Sequence, residues 1–226
     1  MRVLLFLCLV SAAWAEEPLV EVQGQFIHAT RAQMEAALDA AKARHTATLF
    51  TAEQMETIRA KLKESGAEIF SEPRATTQGG ETARVMAVRE VVYPSEFEAS
   101  TQEKGKLVPT NFETRNAGVV LEVKIAVQAD GKLRLVAHST YTRFLGFIDY
   151  STAKEAKLAL EDLLKAPLSA GGLWKPVFAT YSVESTFRLA KGQTALMGGP
   201  VKLDQDFDTQ GEDVFVFLTA AVVPRD

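Results

Sequence analysis

One stretch constrains this chain more than any other. Val119, Leu121, Val123, Ile125 and Val127 alternate with Glu122, Lys124 and Gln128. An apolar period of two describes a strand with one face buried. Asp130-Gly131 follows as a two-residue hairpin turn, and Lys132 to Tyr141 returns as the partner strand. Each arm is about ten residues, longer than the usual strand of about five or six.

The flanking segments read as further strands and as helices. Leu19 to Ala29 alternates, with Val20, Val22, Phe26 and His28 on one face and Glu21, Gln23 and Gln25 on the other. Gly24 interrupts it at a bulge or a close neighbour. Thr30 with Gln33, and Thr51 with Gln54, sit at capping-box spacing. Met34, Leu38 and Ala41 form the stripe of the first helix, and Met55, Ile58 and Leu62 that of the second, which Gly66 ends. A third helix is expected over Thr152 to Lys165, with Thr152 and Glu155 as its capping pair. Ala67 to Tyr93 reads as β-structure broken at Gln78-Gly79-Gly80, and Ser95 to Pro109 as an exposed loop. Phe178 to Ala190 and Gln193 to Met197 are expected to pair around Lys191-Gly192. Asp204 to Asp213 is acidic and loop-like. Val214 to Val223 is apolar on both faces, the mark of a central strand. The fold class expected is α+β and β-dominated, an antiparallel sheet or barrel with about three helices.

The N-terminus has a different character. Met1-Arg2 is a short positive start, Val3 to Val10 is continuously apolar, and Ala13-Trp14-Ala15 places small residues around a cleavage point. Residues 1–15 therefore read as a secretory signal peptide, and residues 16–226 as the mature domain. The apolar run is too short to cross a bilayer as a helix. Cys8, the sole cysteine, lies inside it after Leu7, so cleavage after Ala15 leaves no thiol for a disulfide or for thiolate chemistry. At 47% hydrophobic and 24% charged, the chain has an ordinary globular composition. A net charge of −4 and the absence of a dense Lys/Arg run argue against a nucleic-acid partner.

No residue pattern points to catalysis or to a cofactor. His28, His45 and His138 are far apart in sequence, without partners at metal-ligand spacing. His45 suits the C-terminus of the first helix, and His138 the polar face of its strand. Gly79-Gly80 and Gly198-Gly199 lack the Lys-Ser/Thr and helix of a phosphate loop, and read as turns or corners. A Ser/His/Asp triad stays open, because its members are distant in any sequence, but no G-x-S-x-G elbow is present. Glu161-Asp162 reads as a solvated helix face. The expectation is a chain that is not an enzyme, with catalytic, cofactor-binding and metal-binding residues all assigned as none.

Several motifs occur in the order of one known family's pattern. Val20-Glu21-Val22-Gln23-Gly24-Gln25-Phe26-Ile27 is similar to the family's opening V-E-V-x-A-x-F-V/I. Ile69-Phe70-Ser71-Glu72-Pro73-Arg74-Ala75-Thr76-Thr77 resembles I-L-S-x-P-R-V-T-T, and Gly80-Glu81-Thr82-Ala83 follows it like G-Q-x-A. Glu90-Val91-Val92-Tyr93-Pro94 is similar to E-V-P-Y-P. Glu113 to Val123 resembles R-x-V-G-V-x-L-x-V, and Gly192 to Gly199 resembles D-G-Q-T-V-V-L-G-G. Val214 to Ala220 is similar to L-L-I-F-V-T-P/A. In this order the motifs resemble the secretin homology domain of type II and type III secretion systems and of type IV pilus machines.

The resemblance implies a subunit or accessory of an outer-membrane secretion or pilus complex, acting by assembly. Its implied partners are further copies of itself or other secretion and pilus components, and its implied place is the cell envelope, in the periplasm or outer membrane. The Val119–Gln128 and Lys132–Tyr141 strands are the expected edge strands. The alternative is a monomeric periplasmic adaptor or binding module that reuses the domain without a pore. Two departures favour it. Family members carry small periplasmic domains ahead of this one, whereas here the opening strand follows residue 16 almost directly. Pro200 to Asp213 also replaces the family's V-P-x-L-G-x-I-P-x-L-G motif. The third helix is expected to be an insertion.

Overall fold

The computed structural model describes residues 18–149, 173–198 and 212–224. The expected signal peptide, the third helix and the Pro200–Gly211 stretch lie outside these residues. Ten strands and two helices are described: β1 (Leu19–Thr30), α1 (Arg31–Ala40), β2 (Leu49–Phe50), α2 (Ala52–Glu64), β3 (Glu68–Ser71), β4 (Arg74–Gln78), β5 (Thr82–Ala99), β6 (Leu107–Val127), β7 (Leu133–Asp149), β8 (Trp174–Leu189), β9 (Thr194–Gly198) and β10 (Glu212–Val222). The fold is β-dominated and its strand pairings are antiparallel throughout.

Three layers result. The first sheet runs β2-β9-β10-β1, with β3 and β4 both on the far side of β1. β4 pairs the first half of β1 and β3 its second half, with a register shift at Phe26/Ile27. The second sheet runs β5-β6-β7-β8. Val20, Val22 and Phe26 of β1 and Val214, Val216 and Leu218 of β10 pack against Val119, Leu121, Ile125 and Leu135 of the second sheet. On the opposite face of the first sheet, Ile27, Phe215 and Phe217 pack under Met34, Leu38, Met55, Ile58 and Leu62 of the helices. This explains why β10 is apolar on both faces: it lies between β9 and β1, and each face meets a different core. Burying each of these side chains contributes roughly 1.5–3 kcal/mol relative to exposure.

The same layering corrects the reading of β1. Its second face is not simply polar. Gln25 is buried, donating to Glu72 and accepting from Arg59 Nε at 2.9 Å. Gly24 marks a close neighbour: its N–H donates to the Pro73 carbonyl at 2.8 Å, and an added Cβ would lie 3.0 Å from Leu121 Cδ2. Both capping boxes form, Thr30 with Gln33 and Thr51 with Gln54, each satisfying two end amides.

Three expectations are overturned. Ser95 to Pro109 is not one long loop: β5 continues to Ala99 and β6 starts at Leu107. The paired arms carry polar residues on both faces there, so the period of two is absent although the ladder is intact. Next, β8 and β9 do not pair around Lys191-Gly192. That turn, closed by Gln193 N–H to the Ala190 carbonyl at 3.1 Å, passes the chain from one sheet to the other. Finally, Asp130-Gly131 is not a two-residue turn with both residues at positive φ. Gly131 sits at φ 76°, while Asp130 lies outside the positive-φ region. Gly131 N–H bonds the Gln128 carbonyl at 2.9 Å, so Ala129 and Asp130 form the centre of the turn, and Gly131 takes the left-handed position after it. The Lys132 N–H donates to Asp130 Oδ1, which holds that carboxyl below the usual carboxylate range.

Candidate assembly surface

Among the described residues, no layer packs on the outer side of the second sheet. Its strands are 18, 21, 17 and 16 residues long, well beyond what covering the first sheet requires. Its lower rungs form the sandwich. Above them the sheet forks, because the β6–β7 ladder ends at Gly118↔Thr142. Beyond that rung β5 and β6 continue as one hairpin arm up to Ala99↔Leu107, and β7 and β8 as another up to Asp149↔Trp174.

Gly118 makes the fork. It has φ 135°, a region closed to other residues, and an added Cβ would lie 2.2 Å from the Ala87 carbonyl oxygen. The two arms meet again through aromatic rings. Tyr93 of β5 stands edge-on to Phe178 of β8, with centroids 6.0 Å apart, and Arg115 of β6 lies 4.7 Å over the same Phe178 ring. Phe144 and Phe147 of β7 extend the cluster. The Tyr93 hydroxyl donates to Glu113 at 3.1 Å. Below the fork, a second aromatic group joins the layers: His28 stacks on Phe70 at 4.1 Å, and Tyr141 packs on both and on Tyr181. Burial pushes the Tyr141 hydroxyl above its ordinary pKa, against the opposing pull of Arg143.

The outer face of the sheet is polar over β7 and β8, whereas Met86, Val92, Val108 and Phe112 stand exposed on β5 and β6. Register places Glu122, His138 and Glu184 side by side on adjacent strands. His138 Nε2 lies 2.8 Å from Ser182 Oγ, and Thr142 pairs with Thr180 at 3.3 Å. The His138–Ser182 contact is a Ser–His pair of the kind the open triad reading needs. It lies on an exposed sheet face, and no acid bonds the other His138 nitrogen there. His45 bonds Asp39 of α1 at 2.8 Å, and His28 belongs to the aromatic group. The three histidines are therefore dispersed, and no group of three metal-ligating side chains occurs among the described residues. Gly79 and Gly80 form the β4–β5 turn, with Gly80 N–H bonding the Ile125 carbonyl. Gly198 ends β9 at φ 91°.

The expected edge strands are corrected by the sheet order. Over their shared rungs β6 and β7 are central, and the free edges among the described residues are the outer sides of β5 and β8. Strong alternation marks the strand most completely covered on one face, which is the centre of a sandwich and not its edge. The Glu90–Pro94 motif of β5 was the signal available for the true edge.

The match of a family model to residues 60–215, described as bacterial type II and III secretion system protein, covers more than half of the chain. The chain belongs to the secretin family. No curated protein matches it. Among solved structures it is similar to the Salmonella type III secretion injectisome secretin InvG, at 10% identity and a TM-score of 0.41 over 93% of this chain and 66% of that one. It is also similar to the type II secretin GspD of enteropathogenic Escherichia coli, at 14% identity and TM-score 0.41 over 93% and 68%. The type IV competence pilus secretin PilQ of V. cholerae is matched at 16% identity and TM-score 0.41 over 93% and 58%. The chain thus spans about three fifths to two thirds of the length of these proteins.

Proposed function

We propose that this chain is a ring-forming, non-enzymatic secretin subunit that lines a secretion or pilus conduit in the cell envelope, exported by removal of residues 1–15. One observation carries the reading. Three successive antiparallel pairings leave β5 and β8 running in opposite directions at the two edges of one sheet. The β8 of one copy can therefore continue into the β5 of the next as a further antiparallel rung, with no reversal of the sheet. Repetition of such head-to-tail contacts closes into a ring when the rotation permits, and closure removes the exposed edges. The Ser, Thr and His pairs on the outer face of β7 and β8 suit a water-filled wall.

The adaptor reading has one observation in its favour. Tyr93 and Phe178 belong to the two edge strands and touch within a single chain, which holds the arms of a monomer together. Size-exclusion chromatography with light scattering on detergent-extracted protein distinguishes the two. A ring elutes at many times the mass of one mature chain, and an adaptor at that mass, somewhat below the 24.7 kDa of the full sequence. Export is checked separately: N-terminal sequencing of the protein from its native host begins at Glu16, and a retained Met1 contradicts it.

A further inference from the structure

The fork of the second sheet leaves an open cleft of about 610 Å³ between the two hairpin arms. Its ionisable lining is of one sign. Arg89 of β5 and Arg143 of β7 both line it, and no carboxylate does. Each of these arginines sits one residue beyond the level where the β6–β7 ladder stops: Arg89 opposite Ala117, and Arg143 after Thr142. Neither takes part in any ion pair among the described residues. Both side chains are exposed and border the same cleft as the half-buried Tyr141, on whose hydroxyl Arg143, the Glu68 carboxylate and Arg89 all act. Thr142 supplies a hydroxyl donor to the same lining, and Gly118 leaves open the space that a side chain would fill.

We infer that the cleft is an oxyanion site that takes a phosphate group, as a phosphate ester. Two planar guanidinium groups offer paired N–H donors matched to phosphate oxygens, and bonds between ionised partners are the strong ones. Two unneutralised cations in one cleft also repel each other, and a bound dianion or diester relieves that repulsion. The same phosphate can come from a lipid headgroup or from a soluble ester. The aromatic cluster of Tyr93, Phe144 and Phe178 directly above the cleft fits the first source, since aromatic rings favour the level of the headgroups. The inference does not depend on ring formation.

The test titrates inorganic phosphate into the full-length protein by isothermal calorimetry at constant ionic strength. Arg89→Gln and Arg143→Gln are each expected to weaken binding about tenfold, the scale of one charge-assisted hydrogen-bond pair. Arg143→Lys, which keeps the charge and loses the fork, falls between. Arg84→Gln is the control, an exposed arginine of β5 outside the cleft. Thermal melts verify that the variants remain folded. A second arm measures co-sedimentation with phosphatidylglycerol vesicles against phosphatidylcholine vesicles. If the cleft variants lose both phosphate and phosphatidylglycerol binding, a lipid supplies the group. If they lose phosphate binding and sediment as wild type does, a soluble ester supplies it. Absence of saturable phosphate binding by the wild-type protein, or equal weakening by Arg84→Gln, overturns the site whatever the vesicles show.

Discussion

Gly118 and Gly131 both hold positive φ, yet they differ in what a side chain would meet. At Gly131 an added Cβ finds open space, so Gly131→Ala carries only the backbone cost of about 1 kcal/mol. At Gly118 the same methyl adds a collision with the Ala87 carbonyl oxygen to a backbone conformation closed to L-residues. Gly118→Ala is expected to cost at least about 2 kcal/mol, and urea unfolding of the two variants side by side reads the difference. Asp213 provides a pH signature. Burial raises its carboxyl above the usual carboxylate range, against the opposing pull of Arg31. The fold therefore favours the protonated form, a contribution present at low pH and lost as pH rises through the raised value. Asp213→Asn should melt higher than wild type at pH 7, with the gap closing as pH falls through the carboxylate range. A gap independent of pH would show that the carboxyl is not strained by burial.

Elements were legible where their cause is local. Thr30 with Gln33 and Thr51 with Gln54 announce the starts of α1 and α2, because a capping box needs only neighbouring residues. Thr30→Ala and Thr51→Ala should each lower stability by about 1 kcal/mol in the same urea assay. The two-sided apolar pattern of β10 likewise identified its central place. What failed depends on distant partners. The Ala190–Gln193 turn looks the same in sequence whether the strands it joins pair or part, and here they enter different sheets. The upper arms of β5 and β6 mix exposed apolar residues such as Val108 and Phe112 with polar ones, so they resemble a loop although their ladder runs to Ala99↔Leu107. The fork cleft was invisible for the same reason: Arg89 and Arg143 lie on strands separated by a full hairpin.

For the whole molecule, the sandwich of first and second sheets explains the core but not the length of β5 to β8. Strands of 16 to 21 residues with unpaired outer edges are an aggregation hazard in an isolated chain. In the proposed ring, head-to-tail pairing of β8 with β5 would turn that hazard into a wall. Successive residues of an antiparallel strand direct their N–H groups alternately to either side, so of Val183 and Glu184 on β8 one donates to β7 and the other outward. Proline at the outward position removes a donor from the edge without breaking the ladder to β7. The most direct measurement is therefore the light-scattering mass of detergent-extracted wild type, Val183→Pro and Glu184→Pro, each checked for folding by circular dichroism. The account predicts a large oligomer for wild type, and a folded monomer for one of the two proline variants. A wild-type protein that stays monomeric at high concentration, in periplasmic extract and in detergent alike, would contradict it.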